Sequence, residues 1–392
     1  MNNGHITRFH LYFLFILWLI VHGVLYFYSG IRTDLFDAKG YIKGADFLLM
    51  TGRLEVFHQI FYAVPILLIA FFRWVHAEGV HGFVLFQCIL SGVAAFSLYH
   101  ASSRVFKDQN AGLFSAVIFL CWWDVIQWNT AVMTESVACS VICLVTFKLT
   151  YFRDTFRDYA LLTLLLALCV LTRPTGVLII FGSFTFLITR HWAVISRRPF
   201  LKVLILVCFG ITAFWGAVSM FNYWDFTEQY LKGNIVTYMD TIEGQPLYKD
   251  NLRLDTSDLL FPDPEKSPAG KMLFFAWNNP VHFAASAFLK VFYLITGTRP
   301  YFSTLHNTYT IVWTLIIFSL FYFGFRYTSD VAIKNFSVAV IVANCSLVAL
   351  STVDWDNRFY MPMQPGIALL AGGGGAYCFR HLKIPFLQKT KR

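Results

Sequence analysis

The stretch that decides the fold is residues 34–62, which read DLFDAKGYIKGADFLLMTGRLEVFHQIFY. It follows an apolar segment at 11–28 that is about long enough to cross a membrane. Two acidic residues, Asp34 and Asp37, come within a few residues of the end of that segment. Carboxylates in this position are either ordinary solvated loop residues or part of a site that works at the membrane surface.

The composition of the whole chain indicates a polytopic membrane protein. Of its 392 residues, 57% are hydrophobic and 14% are charged, whereas a soluble domain is about 25% charged and about 45–50% apolar. The net charge of +9 does not predict a nucleic-acid partner, because Lys and Arg collect in the cytoplasmic loops of membrane proteins. All 8 cysteines fall in apolar runs without metal-ligand spacing, so a disulfide framework is not expected.

Charge placement sets the predicted topology. The apolar runs are at 11–28, 56–75, 82–100, 112–128, 132–152, 159–171, 176–189, 201–223, 281–296, 307–327, 332–352 and 363–379. Basic residues follow the third, fifth, seventh and tenth runs and end the chain. All of them lie in the cytoplasm only if runs 56–75 and 281–296 do not cross, and both of these runs carry polar residues.

The predicted fold is therefore all-α, with about ten transmembrane helices and interfacial helices on the outer face. We expect a single membrane-embedded domain over 1–392. A first outer loop with an interfacial helix would occupy 31–79, and a long outer loop with another would occupy 224–306. Four consecutive glycines at 372–375 lie in the last apolar run and indicate close helix packing.

This topology gathers nine ionisable residues on the outer face. They are Asp34, Asp37, His58, Asp124, Glu135, Arg173, Asp354, Asp356 and Arg358. The interiors of the apolar runs are almost bare of such residues, which argues against a proton or ion pathway through the helices.

Two carboxylates are candidates for chemistry at that face. Asp37 is either a helix-capping residue or a general base that takes a proton from an acceptor hydroxyl. Glu135, in WNTAVMTES, begins an apolar run, where an acidic residue also favours the helix dipole.

Two arginines are candidates for holding a phosphate. Arg173, in LTRPTG, is either a snorkelling anchor or a phosphate-binding guanidinium. Arg358 lies in VDWDNRFYMPMQP, where the density of aromatic and proline residues favours a site over simple anchoring. His58 beside aromatic residues is more typical of a structural histidine. A base for a hydroxyl and cations for a phosphate together describe transfer of a group from a lipid-linked phosphate.

Four motifs, in this order, resemble the GT-C superfamily of integral-membrane glycosyltransferases, in its protein O-mannosyltransferase and aminoarabinose transferase-like branch. They are the acidic loop DAKGY followed by ADFLLMTG, the helix FHQIFYAVPILLIAFFRW, the turn TRPTG and the segment RFYMPMQP. The resemblance implies transfer of a sugar from a polyprenyl-phosphate donor to an acceptor on the outer face, with inversion. The acceptor would be a lipid, a glycan or a protein.

Carried over by position, Asp37 resembles the family's catalytic aspartate and Glu135 its second acidic residue. Arg358 resembles the donor-phosphate contact, and Arg173 a second cation. Further candidates for substrate contact are Asp34, Tyr41, His58, Tyr62 and Tyr360. The chain departs from the family in lacking a Pro-Pro or Lys-Pro pair near Pro65 and in having no sizeable domain after its last apolar run. Some relatives use a divalent metal and others do not, so the resemblance leaves a metal open.

Other functions stay open at this stage. An O-antigen polymerase or ligase would also have many helices and a long outer loop, but would give Asp37 no special role. A transporter or flippase would need polar residues inside the spanning helices, and a scaffold without chemistry would not explain the clustered charges. The compact loops favour the inner membrane of a bacterium, with the site facing the periplasm, and a protein of the eukaryotic endoplasmic reticulum is the alternative. The sequence does not identify the sugar.

Overall fold

The computed structural model of the chain describes residues 3–76, 79–223, 225, 227–237 and 252–381. This part of the chain is helical. It contains three isolated β-bridges and no extended β-strand. The predicted all-α membrane architecture is thereby confirmed. Residues 224, 226 and 238–251 of the predicted long outer loop lie outside the described residues, as do the basic residues beyond His381 that contributed to the topology prediction.

The helices follow one another with mostly short connections. In chain order they are α1 (Asn3–Ser29), α2 (Phe36–Thr51), α3 (Ala63–Val75), α4 (Val80–Phe106), α5 (Gln109–Cys121), α6 (Trp123–Ile126), α7 (Glu135–Thr150), α8 (Phe156–Thr172), α9 (Val177–Arg190), α10 (Trp192–Ile195), α11 (Pro199–Tyr223), α12 (Thr227–Leu231), α13 (Pro268–Asn278), α14 (Pro280–Thr296), α15 (Thr304–Tyr327), α16 (Val331–Leu350) and α17 (Gln364–His381). Short 3₁₀ helices lie at Phe57–Tyr62, Gln127–Thr130, Pro174–Gly176 and Arg358–Tyr360.

The chain forms two compact units. The first consists of Met1–Phe186, Leu315–Ile341 and Met361–Arg392, and the second of Leu187–Thr314 and Val342–Tyr360. In the first unit, α4 packs along α5 and α7, and α17 packs along α5. In the second, Tyr230, Met272 and Phe275 form a buried cluster between α12 and α13. The prediction of one domain over the whole chain stays a prediction.

Small residues allow the helices of the first unit to approach closely. A Cβ atom added at Gly374 would overlap the carbonyl oxygen of Leu320, and one at Gly324 would overlap that of Leu370. A Cβ at Gly373 would overlap the ring of Phe106. The four glycines are therefore packing residues, as the sequence predicted, because only a hydrogen fits where backbone meets backbone.

The number of membrane spans differs from the prediction of about ten. Among the described residues, five helices are long and apolar enough to cross a membrane, or six if one bent pair is a single span. The helices α7, α8 and α9 have only 16, 17 and 14 residues, and a straight crossing takes about 20. The continuous helical segment Phe57–Val75 meets both criteria, although the charge argument predicted that it does not cross.

The bent pair replaces what the sequence presented as one apolar run at 112–128. The chain breaks at Trp122, and the segments Gln109–Cys121 and Trp123–Thr130 meet at 61°. Hydropathy alone does not reveal such a break, because the residues on both sides of it are apolar. The second segment leads directly to Glu135.

Alanine substitution tests the packing role of the glycines. We expect Gly374→Ala to lower the free energy of unfolding by about 1–3 kcal/mol, because the added methyl group meets backbone that cannot move aside. The matched control is Gly23→Ala in α1, where a Cβ meets nothing within 4 Å. Thermal unfolding in detergent should show a lower midpoint for Gly374→Ala and an unchanged or slightly higher one for Gly23→Ala. Equal midpoints would contradict the packing role.

Candidate active site

A buried ion pair joins two of the predicted site residues. Glu135 is the first residue of α7 and is 1% exposed, and Arg173 follows the end of α8 and is 8% exposed. The Arg173 Nη1 atom donates a hydrogen bond to Oε1 of Glu135. A buried charge is costly without a partner, so this pair fixes the end of α8 beside the start of α7.

Asp37 and Tyr41 lie one turn apart on α2. Helix α2 begins at Phe36, so Asp37 is in its first turn rather than at the capping position, where Leu35 makes no side-chain cap. An acidic residue there is favoured by the helix dipole. The ring of Tyr41 lies 5.5 Å from that of Tyr62, measured between centroids. Tyr62 ends a 3₁₀ helix that packs on α8.

Four other predicted site residues lie close enough to the hydroxyl of Tyr41 to act on its pKa. Its burial raises its pKa, and the nearby Glu135, Tyr62 and Asp37 raise it further, while Arg173 lowers it. Each of these groups is therefore close enough for its charge to act on Tyr41. The structure brings together two carboxylates, one guanidinium and two phenols, all of which the sequence analysis had named.

Arg32, which the sequence analysis did not name, holds the two acidic stretches next to each other. Its backbone N–H donates to the carbonyl of Thr130 over 3.0 Å, and its carbonyl accepts from Val132 over 3.0 Å. Its Nη2 atom donates to the carbonyl of Gln127 over 2.6 Å, and its guanidinium lies 5.2 Å from the ring centroid of Trp128. The residues just before α2 are thereby tied to the turn that leads into Glu135.

Buried polar side chains support the same turn from neighbouring helices. Gln87 of α4 donates from Nε2 to the carbonyl of Ala131 over 2.8 Å. The side chain of Asn129 contacts Nε2 of His22 over 2.9 Å and accepts from the hydroxyl of Ser136 over 2.6 Å. The sequence signal for these residues was weak, since single polar residues within apolar runs are common.

Asp34 and His58 are two further predicted residues of the outer face. Both side chains are exposed, and no described side chain forms a hydrogen bond or an ion pair with either of them. The proposed substrate contacts of these two residues stay predictions.

Arg358 lies in the second unit, where Asp354 holds it. Asp354 is 1% exposed, and its two carboxylate oxygens accept hydrogen bonds from Arg358 Nε over 3.2 Å and Arg358 Nη2 over 3.1 Å. The backbone N–H groups of Asp356 and Arg358 donate to the same carboxylate over 3.0 and 3.1 Å. The side chain of Arg358 is therefore fixed in direction, and Tyr360 is buried at the end of the same 3₁₀ turn.

Two further cations are buried in the second unit. Arg299 is 1% exposed and donates to the backbone carbonyls of Asp354, Tyr293 and Thr298. Lys290 of α14 donates to the carbonyl of Ser351 over 2.8 Å, and burial lowers its pKa. Because both cations donate hydrogen bonds to backbone carbonyls, we interpret them as structural residues that support the segment that carries Arg358.

The described residues contain no group of three or more His, Cys, Asp or Glu side chains arranged to hold a metal ion. The features that the structure does assemble are the Asp37 and Glu135 carboxylates, with Arg173 beside them.

Part of the chain matches a known protein family. Residues 63–216 match the model of the dolichyl-phosphate-mannose-protein mannosyltransferase family. The matched stretch contains Glu135 and Arg173 but neither Asp37 nor Arg358. No match was found among curated proteins. The family match confirms the resemblance noted in the sequence and supports a membrane glycosyltransferase of the GT-C superfamily.

Proposed function

We propose that this protein transfers a sugar from a polyprenyl-phosphate donor to an acceptor hydroxyl on the outer face of the membrane, with Asp37 as the general base. The observation that carries the proposal is the gathering of Asp37 and the Glu135–Arg173 pair around Tyr41. The donor class follows from the matched family, whose name includes a dolichyl-phosphate sugar.

The proposed reaction forms one bond and breaks another at the anomeric carbon of the sugar. The acceptor oxygen attacks that carbon while its proton passes to the carboxylate of Asp37. The bond between the anomeric carbon and the phosphate oxygen breaks, and the electron pair leaves with the polyprenyl phosphate. Attack from the face opposite to the leaving group inverts the configuration.

Arg173 is suited to stabilise the charge that develops on the leaving phosphate. A guanidinium fixed in a buried setting stabilises such a charge without having to reorganise first. Glu135 orients Arg173 through the ion pair and so acts as a positioning residue. Tyr41 and Tyr62 would line the sugar site beside Asp37.

Arg358 is the proposed contact to the donor phosphate. Asp354 accepts hydrogen bonds from both the backbone and the side chain of Arg358, so the guanidinium is already oriented before a ligand binds. The motif around it, RFYMPMQP, carries the resemblance on which this role depends.

The proposed acceptor is a lipid, a glycan or a protein. The proposed location is the inner membrane of a bacterium, with the site facing the periplasm. The distribution of basic residues supports this orientation, because they follow the runs that the topology places at the cytoplasmic face.

Replacement of Asp37 tests the assignment of the base. Asp37→Asn keeps the shape of the side chain and removes the proton acceptor, so we expect sugar transfer to fall by at least about a hundredfold. Donor binding and thermal stability should stay close to those of the wild type. Asp258→Asn is the control, because Asp258 is an exposed aspartate of the predicted long outer loop and is not among the candidate site residues. Full activity in Asp37→Asn would remove this residue from the mechanism.

A double substitution separates catalysis from folding at the ion pair. Glu135→Gln removes the carboxylate charge that Glu135 presents to the buried guanidinium of Arg173, so it should destabilise the protein by about 3–5 kcal/mol. Adding Arg173→Gln removes both charges and should restore much of that stability.

The activity of that double variant decides the role of Arg173. If Arg173 stabilises the leaving phosphate, the double variant stays inactive although its melting temperature is higher than that of Glu135→Gln. Recovery of transfer together with stability would show that the pair only supports the fold.

Substitution of Arg358 tests the donor contact directly. We expect Arg358→Gln to weaken binding of the polyprenyl-phosphate donor at least about tenfold, because a charge-assisted contact to phosphate is lost. Arg53→Gln is the control, since Arg53 is an exposed arginine of the first outer loop. Binding is measured on the purified protein in lipid nanodiscs. A donor affinity equal to that of the control would contradict the role of Arg358.

A further inference from the structure

A cavity lies at the end of α4 that is far from the candidate active site. It has a volume of about 590 Å³ and is formed where α4 turns into α5. Its lining includes His100, Arg104 and Lys107. Gln87 supports the active-site turn from the same helix, and the rise of an α-helix puts about 25 Å between Gln87 and Arg104. The cavity is therefore separate from the site of sugar transfer.

The cavity carries excess positive charge. Asp108 is the only acidic residue among its lining residues, and Oδ2 of Asp108 accepts a hydrogen bond from Arg380 over 2.6 Å. The other carboxylate oxygen accepts from the backbone N–H of Asn110 over 3.0 Å. The negative charge of Asp108 is thus already matched, and the charges of Arg104 and Lys107 are not.

Arg104 is held in a fixed direction. Its Nε atom donates to the carbonyl of Thr150 over 2.8 Å, and its guanidinium carbon lies 4.4 Å from the ring centroid of Tyr151. These contacts occupy the Nε atom of Arg104 and one face of its guanidinium group. Among the described residues, neither the terminal Arg104 nitrogens nor the Lys107 ammonium has a hydrogen bond or an ion pair.

The helices around the cavity pack closely, so the cavity keeps its shape without a ligand. A Cβ atom at Gly112 of α5 would overlap the carbonyl oxygen of Tyr99 on α4. The hydroxyl of Ser102 donates to the carbonyls of Ala111 and Leu369, each over 3.1 Å, and so joins α4 to α5 and α17. The walls that carry the cations therefore cannot separate easily.

The position of the cavity along α4 corresponds to the headgroup region of a bilayer. Helix α4 has 27 residues, which corresponds to roughly 40 Å, the thickness of a bilayer with its headgroups. His100, Arg104 and Lys107 lie in the last two turns of this helix or just beyond it. This end carries basic loops, which are predicted to be cytoplasmic.

We propose that this cavity binds a phosphate ester anion, supplied by the headgroup of an anionic phospholipid. A guanidinium and an ammonium at headgroup depth match the phosphate of such a lipid. A volume of about 590 Å³ is in the range of small-molecule sites and admits a glycerophosphate group as well as a bare ion. The lipid bound here would be distinct from the sugar donor.

The test compares lipid binding to the full chain with and without the two cations. Native mass spectrometry and thermal unfolding are carried out on the protein with added phosphatidylglycerol, phosphatidylcholine or inorganic phosphate. The test variant is Arg104→Gln/Lys107→Gln. The control is Arg157→Gln, an exposed basic residue that is outside the cavity.

We expect the wild type and Arg157→Gln to retain phosphatidylglycerol and to be stabilised by it. The double variant should bind it at least about tenfold more weakly, because two cations near the membrane surface are lost. Stabilisation of the wild type by inorganic phosphate alone, equal to that by the lipid, would overturn the lipid as the source of the phosphate. Equal lipid binding by all three proteins would overturn the site itself. A double variant that fails to fold is replaced by Lys107→Gln alone, since the side chain of Lys107 has no hydrogen bond or ion pair with the described residues and the substitution keeps its backbone cap on α4.

Discussion

The buried ion pair of Glu135 and Arg173 is the interaction on which the candidate active site depends. A buried charge is costly unless it is paired, and this ion pair holds the start of α7 against the end of α8. The backbone bridge between Arg32 and the turn before Glu135 then brings the start of α2 to the same place. Asp37 owes its position near the pair to these two constraints, although it lies about a hundred residues earlier in the chain than Glu135.

An arginine paired with a buried carboxylate also occurs in the second unit. There Asp354 is buried and fixes Arg358, as Glu135 fixes Arg173 in the first unit. Arginines that are already oriented by a carboxylate can act on a charged ligand without losing further side-chain freedom. Lys290 shows the contrast, because it is buried against a carbonyl and an aromatic ring and has no carboxylate partner among the described residues. Its contacts are those of a structural residue.

The sequence predicts the general class well, because the class depends on composition and local pattern, whereas the roles of the site residues that it names stay proposals. Apolar composition predicted the helical membrane protein, the glycines at 372–375 predicted close packing, and charge placement singled out Asp37, Glu135 and Arg173. The sequence did not predict that Glu135 and Arg173 pair, because that contact joins residues 38 positions apart. It predicted about ten spans, whereas the described residues contain five or six candidates, because hydropathy does not show that α7 to α9 are short or that the chain bends at Trp122. Arg32 and Arg299 were missed because their roles consist of bonds to distant backbone carbonyls.

The most direct test of the proposed function is release of polyprenyl phosphate from a donor. The purified protein, in lipid nanodiscs, is incubated with a panel of polyprenyl-phosphate sugars, and the lipid products are measured by mass spectrometry against empty nanodiscs. Sugar transfer predicts that at least one donor is converted to polyprenyl phosphate in the presence of the folded protein, by hydrolysis or by transfer to a hydroxyl acceptor. If the folded protein neither binds nor consumes any donor of the panel, the proposed glycosyl transfer is contradicted.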